Sequence, residues 1–538
     1  MTKLQRYFLS LLTGILLSLS WYQQFSGIFC LAAFIPLLFV EDFFYQHKKT
    51  FKPSDVFAYA TLSFTIWNLL STFWIKNSDI FAAVTVILLN SVFMALTFLL
   101  FHITKRRFGY KVGNFSLIVY WISFEYYFLH AHLTWPWLNL GNSFAGDIKL
   151  IQWYEYTGVL GGTLWILILN LLLFNILKFF IRKRKIKAQI LNINLFVLLL
   201  ITPILSSIII YKNHEETGKE IKIALIQPNF DPYKEKYEID QDYQLATILN
   251  LSDRIIDQNI NYIIAPETAI SDPIWEHNLE SDSLILRIKS FVNKHPKITY
   301  IIGASTFKKL ETNEHLPISA RFNANDSIYY IAHNAALQID TSNFIPIYYK
   351  SKLVSGVETM PFLKVLGFLE KFILDFGGVT GSLAIQKERE VFTNTGLDIS
   401  IAPVICYESA FGEHVSDYIK KGANFIFIIT NDGWWGNTSG YKHHLNYACL
   451  RAIETRRSIA RSANTGISAF INQRGEILNE TSWWTKVAIK NKLKANKKIT
   501  FYVKYGDYIG RLAVFLAIFI FLYIIQHQLN KSILNKKS

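Results

Sequence analysis

The chain is 538 residues long, 51% hydrophobic and 15% aromatic, with a mean hydropathy of +0.23, too apolar for two or three soluble domains. Its net charge of +15 would suit a nucleic-acid binder, but the Lys and Arg clusters fall between apolar runs rather than along one polar face, so no nucleic-acid partner is expected. With only Cys30, Cys406 and Cys449, and no metal-like spacing, neither a disulfide framework nor a zinc site is indicated.

Taken in order, the chain opens with a basic stretch, Met1 to Arg6, before the apolar run Tyr7 to Ser20. More such runs follow, so the first reads as a retained helix rather than a leader. Stretches long enough to cross about 30 Å of hydrocarbon recur near residues 7–23, 26–42, 56–75, 80–102, 114–131, 159–180 and 193–211, with one more at 508–526. The basic groups fall on alternate connections: Lys3 and Arg6; Lys48, Lys49 and Lys52; Lys105, Arg106, Arg107 and Lys111; Lys178, Arg182, Lys183, Arg184, Lys185 and Lys187; and Lys531, Lys536 and Lys537 in the tail. Positive loops stay in the cytoplasm. The expected organisation is therefore a membrane domain over 1–211, an extracytoplasmic domain over 212–505, and a final span with a cytoplasmic tail over 506–538.

The loop from His130 to Thr157 carries Trp135, Trp137 and Trp153. These indoles read as an interfacial aromatic belt or as one wall of a lipid-entry groove.

The polar region alternates strand-like and helix-like segments. Ile221 to Gln227, Ile260 to Ala265, Ile298 to Gly303, Ser327 to Ile339, Ile399 to Ile405, Phe425 to Thr430 and Gly466 to Ile471 read as strands. Gln241 to Gln258, Ser281 to Asn293 and Lys442 to Ala460 read as helices, giving an α/β domain with flanked sheet.

Three strand exits carry chemistry. The run Ile401 to Ile405 stops at Cys406, where a thiol would emerge into a turn, the place of a nucleophile. Asn261 to Ala265 ends in Pro266 and the lone carboxylate Glu267; Ile345 to Tyr349 ends at Lys350. Singly, Glu267 could cap a turn and Lys350 could be a solvated edge residue. Together they supply what a thiol needs to attack a carbonyl, a base for its proton and a cation for the oxyanion, to which the N–H of Tyr407 would add a second donor. Asn431 to Gly436 presents Trp434 and Trp435 in a glycine-flanked loop, either a packed turn or the wall of an acyl-chain site. His443 and His444 are adjacent on a helix and point different ways, so no metal pair is expected, and Cys449 reads as a core thiol.

The joint pattern resembles the nitrilase superfamily, and with its flanking spans the whole chain is similar to the bacterial apolipoprotein N-acyltransferases. The matching motifs are Ala265-Pro266-Glu267-Thr268-Ala269, Tyr349-Lys350 with Leu353-Val354, and Ile405-Cys406-Tyr407-Glu408 with Gly412-Glu413. Further matches are Asn431 to Gly436, Arg451-Ala452, Arg461 to Gly466 and Trp135-Pro136-Trp137-Leu138. The resemblance implies an α-β-β-α sandwich joined to a polytopic helical membrane domain. It implies Glu267 as base, Lys350 as oxyanion partner and Cys406 as acylated nucleophile, with Glu358, Tyr407 and Glu408 supporting and Trp434, Trp435, Trp135 and Trp137 contacting substrate. One departure stands out: the family has Pro-x-Gly-Glu where this chain reads Ser355-Gly356-Val357-Glu358. The tryptophan that often follows the domain's first strand is also missing, Tyr233 and Tyr237 being the nearest aromatics.

What the resemblance implies is transfer of an acyl chain from a phospholipid, through a thioester, to the α-amino group of a lipoprotein's diacylglyceryl-cysteine, in the bacterial inner membrane. A monomer without cofactor or metal is expected. Two other classes compete: a membrane-bound amidase passing the acyl group to water, and a non-catalytic receptor or transporter. The membrane spans disfavour the first, and the intact trio with few charges in the spans disfavours the second.

Overall fold

The computed structural model describes the chain except residues 23, 132, 183–188, 312–315, 318, 325, 356, 360–382 and 538, with side chains as far as residue 527. The basic residues Lys183, Arg184, Lys185 and Lys187, Gly356, and the side chains of the tail lysines lie outside the described residues.

Among the described residues, six helices are long and apolar enough to cross a membrane: Gly27–Gln46, Ser54–Asn77, Ile80–His130, Tyr154–Ile181, Ile190–Asn213 and Tyr508–His527. The chain is a multi-pass membrane protein. The expected first span is the 17-residue helix Lys3–Leu19, opened by a Thr2 capping box. The pair expected at 80–102 and 114–131 forms one 51-residue helical element. A straight helix of that length would run about 76 Å, far more than a bilayer. Gly109, at φ 82°, breaks it into two arms beside Lys105, Arg106 and Arg107. A residue with a Cβ would be strained there.

The acids Glu41, Asp42 and Glu125, buried among the helices, are paired or hydrogen-bonded. Glu41 takes His102 Nδ1 at 2.7 Å and the Lys105 ammonium; Asp42 takes Lys178 at 2.5 Å and Tyr110 at 2.7 Å. Glu125 faces no cation among the described residues. Its Oε1 accepts from Trp121 Nε1 at 3.0 Å and from the backbone N–H of Leu140 at 2.8 Å, and its Oε2 from Thr163 at 2.6 Å. A buried carboxylate saturated by donors on two helices and a loop is a clamp: it fastens the tryptophan-bearing loop to the helices beneath.

Beyond the helices the strands are β1 (Glu220–Gln227), β2 (Tyr262–Ile264), β3 (Ile270–Trp275), β4 (Thr299–Lys309), β5 (Arg321–Asn323), β6 (Ile328–Ile339), β7 (Ile347–Tyr349), β8 (Phe392–Asn394), β9 (Ile399–Ile405), β10 (Phe425–Thr430), β11 (Ser458–Ala463), β12 (Ala469–Ile471), β13 (Ile477–Glu480) and β14 (Val487–Lys494). One sheet runs β14-β1-β2-β4-β6-β5, with β3 on β4 and β7 on β6; the other runs β13-β12-β11-β10-β9-β8. Helices Gln241–Ile255 and Ser283–Lys294 cover the outer face of the first sheet through Leu245, Ile248, Ile285, Ile288 and Val292. Gly412–Lys420 and Ser439–Thr455 cover the second, while Ile221, Ile223 and Leu225 pack inward with residues of β9 and β10. This is the four-layer α-β-β-α sandwich.

The seven strands read from the polar region are present as β1, β2, β4, β6, β9, β10 and β12, and the strand before Lys350 as β7; β3, β5, β8, β11, β13 and β14 are additional to that reading, and one expected helix is shortened. The helix expected over Lys442 to Ala460 ends at Thr455, because Arg456 turns left-handed at φ 51°, and Ser458–Ala463 is strand β11, buried throughout. The run Ser-Ile-Ala-Arg-Ser-Ala lacks the apolar continuity of a core strand, since its polar members are paired inside: Ser462 Oγ donates to Ile226 O across the sheets at 2.9 Å, and Arg461 pairs with Asp432 at 2.6 Å.

The two units are bonded face to face. Arg456 donates to Glu155 and to Gln152 Oε1, both at 2.6 Å; Asn77 donates to Trp435 O at 2.7 Å; and Tyr447 OH donates to Trp137 O at 2.5 Å.

Glu125→Ala orphans the Leu140 N–H and the Thr163 hydroxyl, at about 1–3 kcal/mol for each unsatisfied buried group. A thermal unfolding midpoint clearly below that of wild type is expected in detergent; an unchanged midpoint would remove the clamp.

Candidate active site

Cys406, Glu267 and Lys350 all stand at strand ends. β9, β10 and β11 are parallel, and Cys406 follows the carboxyl end of β9, on the rim where open parallel sheets leave a crevice. Its backbone sits at φ 50° before the short helix Cys406–Ala410, a strained position for a residue with a Cβ. Cys406 O accepts from Ser409 Oγ at 2.8 Å and meets His444 Nε2 at 3.0 Å, which holds the elbow in place. Glu267 follows β2, which pairs in parallel with β1 and β4. The turn there requires Gly303: Pro266 O accepts its N–H at 3.1 Å, and a Cβ on it would lie 2.6 Å from Glu267 Cα and 2.5 Å from Thr268 N.

Lys350 is the hub. Its ammonium donates to Glu267 Oε1 at 2.9 Å and to Glu358 Oε1 at 2.7 Å, and it is 1% exposed. Its N–H donates to Asn334 O at 2.8 Å, while Asn334 Nδ2 donates to Glu267 Oε1 at 2.8 Å and to Glu358 Oε1 at 3.3 Å. Glu358 Oε2 accepts the Val354 N–H at 2.8 Å, so the shifted glycine of Ser355-Gly356-Val357-Glu358 leaves this carboxylate facing the lysine.

Glu408 is wholly buried and joins two of the three strand exits. Its Oε2 takes the N–H of Ile405 at 2.8 Å, and its Oε1 takes the N–H of Ser351 at 2.7 Å, Ser351 Oγ at 2.6 Å and Tyr348 OH at 2.8 Å. One carboxylate thus sets the spacing between the nucleophile's strand and the lysine's loop. Tyr407 OH donates to Thr134 O at 3.1 Å and its ring lies 5.9 Å from that of Trp137, tying the nucleophile's neighbour to the tryptophan loop. Trp137 and Trp435 pack edge to face on each other and on Trp74 in the seam between the units, whereas Trp434, partly exposed, packs on Tyr233. Trp135 is partly exposed beside them.

Three residues of this site escape sequence reasoning. Asn334 lies on β6, where a polar residue reads as outward-facing. Lys236 sits in a run of charges, Lys234, Glu235, Lys236 and Glu238, that reads as solvated, yet it is 2% exposed. Its ammonium donates to Glu267 O at 3.2 Å and to Thr268 Oγ1, bracing the strained Thr268 turn at φ 45°. His444, expected only to diverge from His443, takes Asp432 on one nitrogen and Cys406 O on the other. His443 turns away to Trp21 O at 2.6 Å.

The electrostatics follow from burial. Burial pushes the Cys406 thiol well up and the Glu267 charge pushes it further, with Lys350 opposing, so the resting thiol is protonated. Burial also raises the Glu267 carboxyl, but the adjacent Lys350 and Lys236 ammoniums outweigh it and hold the group below the usual carboxylate range. Lys350 loses charge stability by burial and regains more from Glu267, Glu358 and Cys406, ending well above an ordinary lysine. Lys236, with burial dominant, is pulled down to about 8. The arrangement is a neutral thiol, an ionised carboxylate and a fixed cation, the set of groups that covalent acyl transfer requires.

Residues 222–493 match the carbon-nitrogen hydrolase family, and residues 13–172 match the apolipoprotein N-acyltransferase N-terminal domain. An apolipoprotein N-acyltransferase of Chlorobaculum tepidum is 27% identical over 525 residues, spanning 95% of each chain. Those of Geobacter metallireducens and Thermotoga maritima are each 25% identical, over 93% and 95% of this chain and 92% of theirs.

Two outcomes are expected. Gly303→Ala displaces the Glu267 turn and lowers acylation of Cys406 by about 100-fold, the value of a positioned general base, while the protein still folds; wild-type acylation would refute the close-approach requirement. Because the thiol's pKa is raised, thiolate is scarce at neutral pH, so iodoacetamide alkylation of Cys406, read by peptide mass spectrometry, climbs steadily from about pH 6 to about pH 9. A plateau reached before then would contradict the protonated resting state.

Proposed function

From the premise that this chain belongs to the carbon-nitrogen hydrolase family, joined here to the N-terminal domain of the apolipoprotein N-acyltransferases, we propose that it N-acylates lipoproteins. It moves a fatty acyl chain from a membrane phospholipid, through a thioester on Cys406, to the α-amino group of a diacylglyceryl-cysteine. The observation that carries the reading is the buried Glu267–Lys350–Glu358 cluster beside Cys406, mounted directly on membrane helices.

Glu267 takes the thiol proton as Sγ attacks the ester carbonyl of the donor. Lys350 and the N–H of Tyr407 face the oxygen as it gains charge. When the tetrahedral species collapses, the glyceryl oxygen leaves with the proton from Glu267, releasing lysophospholipid. In the second half the amine attacks the thioester, Glu267 takes its proton and passes it to the departing sulfur, and Cys406 leaves as the thiol with Glu267 ionised again. Glu358 keeps Lys350 charged and aimed throughout. Trp434 and Trp135 are proposed to border the acyl chain, with Trp137 and Trp435 bracing them.

The same reading covers topology. Lys48, Lys49, Lys52, Lys105, Arg106 and Arg107 belong to one side of the helices, and the sandwich follows the helix ends of the other. With positive loops inside, the Lys3–Leu19 helix and the two arms about Gly109 each count as spans, making eight, and the sandwich faces the periplasm of the inner membrane.

Incubated with phospholipid alone, the protein should gain an acyl thioester and release lysophospholipid; adding a lipopeptide amine should then discharge it. Cys406→Ala abolishes the adduct, and Glu267→Gln and Lys350→Met each reduce it by about 100-fold or more. Free fatty acid as the main product in the presence of the amine would make the enzyme an amidase-like hydrolase instead. For topology, a tag beside Lys49 is shielded from an impermeant label in intact cells, whereas one beside Asn278 is labelled; equal labelling of both would overturn the orientation.

A further inference from the structure

A cavity of about 310 Å³ opens where the membrane helices meet the sandwich. Leu129 and His130 close the Ile80–His130 helix on one side of it, and Arg511 lies in the first turn of the Tyr508–Lys537 helix; on the other side stand Phe411, Lys352 and Arg389 of the sandwich. Helix termini of a multi-pass protein lie at the level of the lipid headgroups.

The acids in the cavity are already matched. Glu413 pairs with Arg511 at 2.8 Å and His130 at 3.1 Å, and Asp417 with Lys420 at 3.0 Å. Asp507, whose pKa burial raises, accepts the Tyr502 hydroxyl at 2.7 Å. The ligand atoms of His130, Glu413 and Asp507 are close enough to hold a cation, but Arg511 already supplies one.

Two cations remain over. Among the described residues neither Lys352 nor Arg389 pairs with a carboxylate. The Lys352 ammonium donates to Leu129 O at a long 3.4 Å and lies over the Phe411 ring at 5.1 Å. Arg389 donates to His414 Nδ1 at 2.7 Å, to Gln386 O at 3.2 Å and to Lys387 O, and its Nε, though buried, has no partner among the described residues. Burial, then the neighbouring Arg389 charge, push the Lys352 pKa down, and the buried Glu408 carboxylate pulls it back only in part.

We propose that this cavity is the phosphate subsite for the acyl donor: Lys352 and Arg389 bind the phosphodiester of a glycerophospholipid against the apolar edge of Leu129 and Phe411. The inference rests on the acyl-donor reading above and deepens it. The subsite is wired to the chemistry. Lys352 is two residues from Lys350, and His414 bridges Arg389 to Ser351 Oγ at 3.3 Å and Glu408 at 3.5 Å, the carboxylate that holds the nucleophile's strand. A lipid anchored by its phosphate here has its ester bonds within a few bonds of the headgroup and close to the crevice.

The test uses the full-length protein in nanodiscs, with donor either a phosphatidylglycerol or a diacylglycerol of the same chains, and Cys406 thioester formation as the readout. Wild type favours the phospholipid. Arg389→Gln and Lys352→Gln each raise the KM for phospholipid about tenfold, the loss of one charge-assisted hydrogen bond, with kcat little changed and diacylglycerol use unaltered; Arg389→Lys restores part of the loss. Unchanged KM in both Gln variants, or equal losses on both donors, would overturn the subsite. Competition by inorganic phosphate as strong as by glycerophosphoglycerol would make the cavity a general anion site and overturn the lipid assignment. A wild type that forms no thioester from either donor would instead sink the acyl-donor reading, and the subsite with it, before any variant is compared.

Discussion

The site depends on one buried ammonium. Lys350 is shared by Glu267 and Glu358 at hydrogen-bonding distance with almost no water access. An isolated ion in such a place costs several kcal/mol, so each member of the trio is tolerable only because the others are present. The same low polarity that makes the cluster expensive makes the field of Lys350 strong at the point where an oxyanion would grow. Lys236 brings a second positive charge, and with Glu267 and Glu358 the four groups balance. The thiol beside them rests protonated first because it is buried and then because Glu267 is near, so that a thiolate would be one negative charge too many in the same enclosure.

Two of the longest-reaching ties in the site are buried carboxylates meeting backbone N–H groups. Glu408 joins the ends of β9 and β7 in the sandwich, and Glu125 fixes the Trp137 loop to the helices. The two are linked in turn, because Tyr407 OH donates to Thr134 O in the loop that Glu125 clamps. The membrane helices are thus part of the scaffold of the site as well as its anchor. Removing either carboxylate would strand several donors at once, which is why such groups hold geometry more firmly than apolar packing of the same area.

The spans, the α/β character of the polar region and the three strand exits were legible because each rests on a one-dimensional pattern: apolar length, alternation, and a polar residue at the end of a β-branched run; the pattern alone reads as one flanked sheet, and only the family resemblance implied the two sheets of the sandwich. What was not legible depends on pairing across the fold. Lys236 looks solvated beside Lys234, Glu235 and Glu238, and only the approach of the Glu267 turn buries it. β11 hides its nature because Arg461 and Ser462 are satisfied by Asp432 and by the facing sheet, which no local window reports. Gly109 alone separates what hydropathy reads as two spans, and the helical hydrogen bonding around it runs almost unbroken.

On the proposed reading a thioester on Cys406 has to outlast its wait for a second substrate, and two features of the site would favour an amine over water. Cys406 and Glu267 are nearly sealed, 8% and 6% exposed, which would leave water little access to an acyl carbonyl held between them. A terminal amine has a pKa near 8, so a useful fraction is neutral at physiological pH. Glu267, held ionised by Lys350 and Lys236, can then take its proton as it attacks. Water would need the same base to do far more, since it is the weaker nucleophile. The burial that keeps the resting thiol protonated, together with the ammoniums that keep Glu267 ionised, would on the proposed reading also select the acceptor, by leaving a base ready in a site that holds little water.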